Sequence, residues 1–196
     1  MEMEKYLAAS SYIDWQHPEV YAVANRLAEN SRNKEEIAKR CFEFVRDEIK
    51  HSLDHKLNPV TCKASDVLQH RTGYCYAKSH LLAALLRANG IPTGLCYQRL
   101  RINAEPEIFC LHGLNAVYLD NHGWYKIDPR GNKATLNSAE FRPPFEHLPF
   151  AITNAGEANF SGIYAEPLPV IINVLESSNT YLDVANNLPD AIEQVW

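Results

Sequence analysis

The stretch YCYAKSHLLAALLRANG, residues 74–90, decides how the chain is organised. Leu81, Leu82, Ala84, Leu85 and Leu86 make it apolar nearly all round, which predicts a helix buried in the middle of a domain. Asn89-Gly90 supplies a C-terminal cap, and Pro92 follows where the helix cannot continue. At the other end, Cys75 opens the helix directly after Gly73-Tyr74. A helix N-terminus carries about half a positive charge and several N–H groups with no partner. Both favour a thiolate over a thiol, which makes a usable nucleophile. The same N–H groups can hold an oxyanion when a sulfur attacks a carbonyl. Gly73 lets a substrate approach the backbone there.

Upstream, residues 18–29 have an apolar stripe of Val20, Val23, Ala24 and Leu27 at helical spacing, with Pro18 in the first turn. Residues 34–50 predict a second helix, buried along Ile37, Cys41, Phe44, Val45 and Ile49, with Asn33 and Glu36 in a capping arrangement. Residues 52–64, broken by Asn58-Pro59, read as loop or short extended structure. Ser65-Asp66 is placed to cap a short helical turn that ends near Gly73.

Downstream the period changes. Residues 93–101, 109–119 and 124–128 read as strands, with a turn signal at Asp120–Gly123 and a stop at Pro129. Residues 167–176 suit a last strand or helix, and the tail from 177 suits a helix. Helices, a buried central helix and then an antiparallel sheet make an α+β order in a single domain spanning residues 1–196. Its N-terminal helices occupy residues 1–60.

With 196 residues, 46% hydrophobic and 22% charged, the chain can bury a substantial core without staples. A net charge of −5 argues against non-specific nucleic-acid binding. No apolar run reaches the ~18 residues of a membrane span, and the acidic start MEMEKYLAAS does not resemble a secretion signal. Five scattered cysteines, Cys41, Cys62, Cys75, Cys96 and Cys110, suggest free thiols and a cytoplasmic setting rather than a disulfide framework.

A nucleophilic cysteine needs a base and a group that orients the base. His112 in the second predicted strand and Asp128 in the third are the candidates. An imidazole beside the thiol can take its proton and hand it to a leaving amine, and a carboxylate behind the ring fixes its tautomer. Taken singly, each has a bland reading. Free Cys is among the most buried residue types, a strand His is usually structural, and Asp before Pro is a common turn residue.

Their order carries more weight. TGYCYAKSHLLAALLRANGIPTG (72–94) resembles the core of the transglutaminase-like superfamily, with its Gly-x-Cys opening and its closing Leu-Arg-Ala-x-Gly-Ile-Pro. LHGLNAVYLDNHGWYKIDPRGN (111–132) resembles the same family's His strand, Gly-Trp turn and Asp-Pro. The resemblance spans residues 64–132. It implies a papain-like fold in which a cysteine-bearing helix packs on an antiparallel sheet bearing the other two residues. By similarity, Cys75 is the nucleophile, His112 the base and Asp128 the orienter. Gly113-Leu114-Asn115 stands where the family often has Ala-Trp-Val, and Arg130 where Thr is common. Both departures bear on the substrate groove more than on the chemistry. Residues 133–196 form a C-terminal extension to which the sequence assigns no role.

A three-residue loop at 121–123 pairs Asp128 with Ala116, four residues and about 13 Å along the strand from His112. Parity places both on one face, but direct contact then needs another register.

Tyr74, Gln98 and Trp124 are candidates for lining the substrate site or supplying a second oxyanion donor, against aromatic packing at the sheet edge. Ser79, one turn after Cys75, is placed to line the pocket floor, and Cys110 suits core filling better than the site. Lys78 is a charge in an apolar helix, either solvated or paired with a carboxylate. His51 and His55, with Cys62 and His70 beyond, lack the ligand spacing of a metal site. No phosphate loop or calcium loop occurs, so no metal or cofactor is expected.

The expected activity is attack on an amide or ester bond through a thioester, in a peptidase or amidase or in a protein-glutamine acyltransferase. The expected partner is a peptide, protein or small amide, with no nucleic acid and no membrane. Acyl transfer from a coenzyme thioester to an arylamine uses the same triad order on a related fold, but its usual Arg-Gly-Gly-x-Cys lead-in is missing. The alternative of another class is a non-catalytic peptide-binding module that keeps the fold.

Overall fold

The structure, a computed structural model, describes residues 3–131 and 138–192. Helix α1 (Pro18–Ala28) buries Val20 and Ala24, and α2 (Lys34–Glu48) buries Ala38, Cys41, Phe42 and Val45. The Asn33 side chain accepts the Glu36 N–H at 2.9 Å, and Glu36 reaches back to the Arg32 N–H at 2.9 Å, so the start of α2 is closed from both sides.

Residues 52–64 are more ordered than a loop. A two-residue strand β1 (Lys50–His51) leads into one helical turn, α3 (Ser52–His55). After α4 (Ala64–His70), β1 pairs in parallel with β2 (Thr72–Gly73), setting His51 against Gly73. Ser65 does not cap α4 but lies inside it. Its N–H and hydroxyl both bond the Asp14 carboxylate, at 3.0 and 2.6 Å, so a residue 51 positions away closes the helix end.

Helix α5 (Cys75–Ala88) is buried along almost its whole length, between α1, α2 and α4 on one side and the sheet on the other. Its C-terminus is held by Asn89, whose amide donates to Leu85 and Ala24 carbonyls, and by Gly90 at φ +67°. The buried Arg87 guanidinium donates to the carbonyls of Ala8, Thr93 and Ala165, so this helix end also ties down the C-terminal segment.

The four-stranded antiparallel sheet has the order β5–β4–β3–β8, from β3 (Thr93–Asn103), β4 (Ile108–Leu119), β5 (Gly123–Ile127) and β8 (Ala158–Asn159). A small hairpin, β6 (Glu140–Arg142) and β7 (Phe145–His147), precedes β8. The C-terminal segment ends in α6 (Pro169–Ser177) and α7 (Tyr181–Asn186), which settles residues 167–176 as helix.

The β4–β5 register corrects the expected one. Gly123 pairs with Leu119, and Asn115 with Ile127. The loop keeps three residues but occupies 120–122, because the His122 N–H closes a turn on the Leu119 carbonyl and Gly123 takes φ +70°. Moving the loop by one position moves the pairing by two, so Asp128 extends beyond Ile127 towards Leu114 rather than Ala116. It then lies diagonal to His112, within reach of a side-chain contact.

Candidate active site

Helix α5 delivers Cys75 onto β4. The fit is tight at Gly113, where a β-carbon would meet Tyr76 Cδ1 at 2.9 Å and the Tyr76 backbone Cα at 3.2 Å. The missing side chain at 113 therefore lets the start of the helix rest against the strand. The Gly113 N–H lies 3.5 Å from Cys75 Sγ, and the Tyr76 hydroxyl donates to the Leu111 carbonyl. The helix start is clamped to the strand on both sides of His112. The first helical bond is Lys78 N–H to Tyr74 carbonyl, and the amides of residues 75–77 head the helix at the sulfur.

His112 is buried. Its Nε2 stands 2.6 Å from Asp128 Oδ2, and Cys75 lies close enough to the ring to act on its charge. The other Asp128 oxygen accepts the Arg130 N–H at 2.8 Å. Burial alone would push the His112 pKa down. The Asp128 charge, the neighbouring Cys75 and the hydrogen bond to Asp128 outweigh it and carry the value up to about 10. Burial pushes the thiols of Cys41, Cys62, Cys96 and Cys110 up to about 12.

Cys75 and His112 border a cavity of about 440 Å³, with Asp128 behind the imidazole. Its walls include Leu53, Leu100, Ile102 and Arg101, and its cover comes from the C-terminal segment: Pro149, Phe150, Ala151 and Leu188. The Phe150 ring lies edge-on to His112 at 4.8 Å between centroids. The Leu111 N–H donates to the Pro189 carbonyl at 2.6 Å, fixing the second part of the cover to β4.

Of the other expected site residues, Tyr74 lines the cavity, with its hydroxyl turned away to the Tyr181 carbonyl. Gln98 and Trp124 do not line it. Gln98 is buried beside His112 in the β3–β4 ladder and holds the cover from behind, its amide donating to Asn159 Oδ1 at 2.7 Å and to the Phe150 carbonyl at 3.3 Å. Trp124 packs edge-on against Tyr6 and Tyr118. Ser79 is sealed between α5 and the sheet rather than on the pocket floor, its carbonyl accepting from Asn115. Cys110, by contrast, does line the cavity. Lys78 is fully buried and donates to the Ile49 and Arg46 carbonyls at the end of α2. Burial pushes its pKa down to about 7 against the pull of Asp128. Among the described residues no three His, Cys, Asp or Glu side chains cluster as metal ligands.

Two further cavity residues make contacts that the sequence did not foretell. Arg130 makes a two-pronged ion pair with Asp54, at 2.9 and 3.1 Å, and its guanidinium lies over Phe150. His51 lines the cavity and stacks edge-on against Tyr74 at 5.3 Å. The usable signal was His51 and Asp54 three residues apart, one helical turn, obscured by the competing spacing of His51 and His55.

The family model of the transglutaminase-like superfamily matches residues 21–129, which is more than half of the chain. The chain belongs to the transglutaminase-like superfamily. The match takes in α1 and α2 as well as the segments bearing Cys75, His112 and Asp128. Solved structures agree on the fold of this transglutaminase-like chain. A proposed cysteine protease from Cytophaga hutchinsonii is 18% identical with a TM-score of 0.51, covering 66% of this chain and 42% of its own. The periplasmic domain of TgpA from Pseudomonas aeruginosa is 20% identical with a TM-score of 0.51, covering 65% of this chain and 46% of its own. The transglutaminase-like chain thus spans less than half the length of either. No curated protein matches it. No helix among the described residues is long and apolar enough to cross a membrane.

Proposed function

We propose that this transglutaminase-like chain is a cysteine hydrolase that cleaves an amide or ester bond through a thioester on Cys75. The observation that supports the reading is the buried imidazole of His112, held at 2.6 Å by Asp128 and lining the same cavity as Cys75. Sulfur attacks the carbonyl carbon, and the carbonyl π pair moves onto oxygen. As the pair returns, the C–N or C–O bond breaks, and the leaving group takes a proton from His112. Water then attacks the thioester, His112 takes its proton, and the C–S bond breaks to free the acid and restore the enzyme.

Water is taken as the acceptor of the acyl group, and transfer to an amine is the second reading. The one carboxylate on the described cavity wall, Glu157, accepts the N–H groups of Asn154, Thr153 and Arg101, and those bonds lower its pKa to about 2. The substrate class is a peptide or small amide carrying an apolar group next to the bond broken, matching Leu53, Leu100, Ile102 and Leu188.

The test is selective labelling together with Cys75→Ala. Iodoacetamide, read by peptide mapping, is expected to modify Cys75 well ahead of Cys41 and Cys96. Cys75→Ala should keep its fold, within about 1 kcal/mol, and lose turnover of 4-nitrophenyl acetate. A folded Cys75→Ala protein with full turnover, or a Cys75 that labels no faster than Cys41, refutes the reading.

A further inference from the structure

We infer that the free edge of β4 beside Cys75 is the docking edge for an extended peptide substrate, and that residues 188–190 occupy it at rest as an internal stand-in which the substrate displaces. The inference rests on the cysteine reading proposed above and narrows its substrate class. The peptide it calls for carries a leucine-like side chain and, two residues later, an acidic one.

The edge comes first. β4 pairs with β3 on one side, but on the other its ladder with β5 stops at Asn115 opposite Ile127. The N–H groups of Gly113 and Leu111 on that side are not taken by β5. The Gly113 N–H lies 3.5 Å from Cys75 Sγ, and the Leu111 N–H donates to the Pro189 carbonyl at 2.6 Å. Leu111 and Gly113 are two residues apart, about 7 Å along a strand. Main chain laid on this edge is therefore one strand repeat from the group that touches the sulfur. Strand addition to an exposed sheet edge places a bound peptide in just this way.

The segment now there has the features of a ligand. Leu188 lines the same cavity as Cys75 and His112. Asp190 is held by Arg99, whose Nε donates to the Asp190 carbonyl at 3.0 Å and whose Nη2 lies 3.2 Å from its carboxylate. Arg99 does not depend on Asp190 for its place. Its guanidinium lies over the Phe109 ring at 3.8 Å and donates to the Gly156 carbonyl at 2.7 Å. An apolar cavity and a fixed cation thus flank the main-chain bond to Leu111, and together they read Leu188-Pro189-Asp190.

The segment is also loosely tied. Pro189 has no N–H with which to return a ladder bond, and the Leu111 carbonyl accepts from the Tyr76 hydroxyl. Asp190 is exposed, and Leu188 and Pro189 are half-buried. Behind the segment, Asn187 and Pro189 border a second hollow of about 580 Å³ against α6, which leaves room for it to withdraw. A peptide with an N–H in place of the proline offers the bond that the stand-in lacks.

The probe is a dye-labelled peptide, acetyl-Asn-Leu-Ala-Asp-Ala-Ile amide, which copies residues 187–192 with alanine for the proline. Its binding is read by fluorescence anisotropy. A tethered competitor acts at a high effective concentration, so releasing the segment should tighten peptide binding. Leu188→Ser combined with Asp190→Lys removes the apolar side chain and repels Arg99. This variant is expected to bind the peptide about tenfold or more tightly than wild type, and the Leu111 and Gly113 amide NMR signals should shift on addition. A peptide with Asn for its Asp should bind several-fold more weakly, and a scrambled peptide should not bind. Asp190→Lys alone, at an exposed side chain, keeps the comparison if the double variant unfolds. A released chain that binds no more tightly than wild type, binding that leaves Leu111 and Gly113 unshifted, or equal binding of the scrambled peptide overturns the inference. Failure of the cysteine reading shows separately, as full ester turnover by Cys75→Ala, because peptide binding is measured without turnover.

Discussion

Asp128→Asn exchanges one oxygen for an NH₂ group and hardly alters the size of the side chain, yet the structure predicts a large effect. Both Asp128 oxygens accept N–H groups, from His112 Nε2 at 2.6 Å and from Arg130 at 2.8 Å. Asparagine offers one oxygen and one NH₂ group. If its oxygen keeps the Arg130 bond, its NH₂ meets His112, and the imidazole must turn Nε2 into an acceptor. The ring proton then sits on Nδ1, the nitrogen needed as the base. In Ser-His-Asp triads the same wrong-tautomer substitution costs about 10⁴ in kcat, which sets the expected loss of ester turnover here at about 10³–10⁴. The charge also matters for titration. Asp128, with a further contribution from Cys75, holds His112 above its ordinary value of 6.5, up to about 10, against a burial effect of opposite sign. With the carboxylate gone, the largest upward pull is lost and His112 should titrate well below about 10. A group raised in the folded state contributes stability that is full below about pH 6.5 and fades as pH climbs through about 10. The stability gap between wild type and Asp128→Asn should therefore be widest near neutral to mildly acidic pH and close towards pH 10. Histidine-selective NMR titration, urea melts across that range and ester kinetics supply the three readings. A variant whose His112 still titrates at about 10, or whose turnover stays within about threefold of wild type, refutes the reasoning.

Two further changes test the packing behind the site. Gly113→Ala places a β-carbon 2.9 Å from Tyr76 Cδ1 and 3.2 Å from its Cα, so the start of α5 must lift; we expect a loss of about 1–3 kcal/mol in urea melts and slower acylation, and an unchanged protein would show that the contact yields freely. Lys78→Met replaces a buried ammonium whose pKa falls from 10.5 to about 7. Between those values the unfolded chain holds a proton that the folded chain lacks, so wild-type stability gains a rising contribution over that window, opposite in sign to that of His112. The Met variant should lose this rise, and identical pH profiles of stability would exclude it.

The readable parts of the sequence were those in which neighbours along the chain decide the outcome. The all-round apolar run of Leu81–Leu86 could only be a central helix, and the order of Cys75, His112 and Asp128 followed from short motifs. Strand existence was legible, but register was not. Whether Gly123 lies in the loop or closes the ladder depends on one left-handed residue, and that choice moved Asp128 two positions relative to β4. Ser65 was misread as a cap because its partner, Asp14, is remote in sequence. Cys110 and Ser79 exchanged expected places for a similar reason: which side of β4 or α5 faces the cavity depends on the cover. The extension carried no readable role because it forms no long periodic element before α6. Its service to the site runs through single contacts, such as Gln98 to the Phe150 carbonyl and Leu111 to Pro189.

The cover has a consequence in time. Residues 75–128 leave the ribosome before residues 149–190, and domains fold as their segments become available. The sulfur and its imidazole can meet while the groove is still roofless, so under the proposed function reactivity would precede discrimination during synthesis. Residues 149–157 and Leu188 are the last to join the walls, and they would convert a generally reactive thiol into a choosy one.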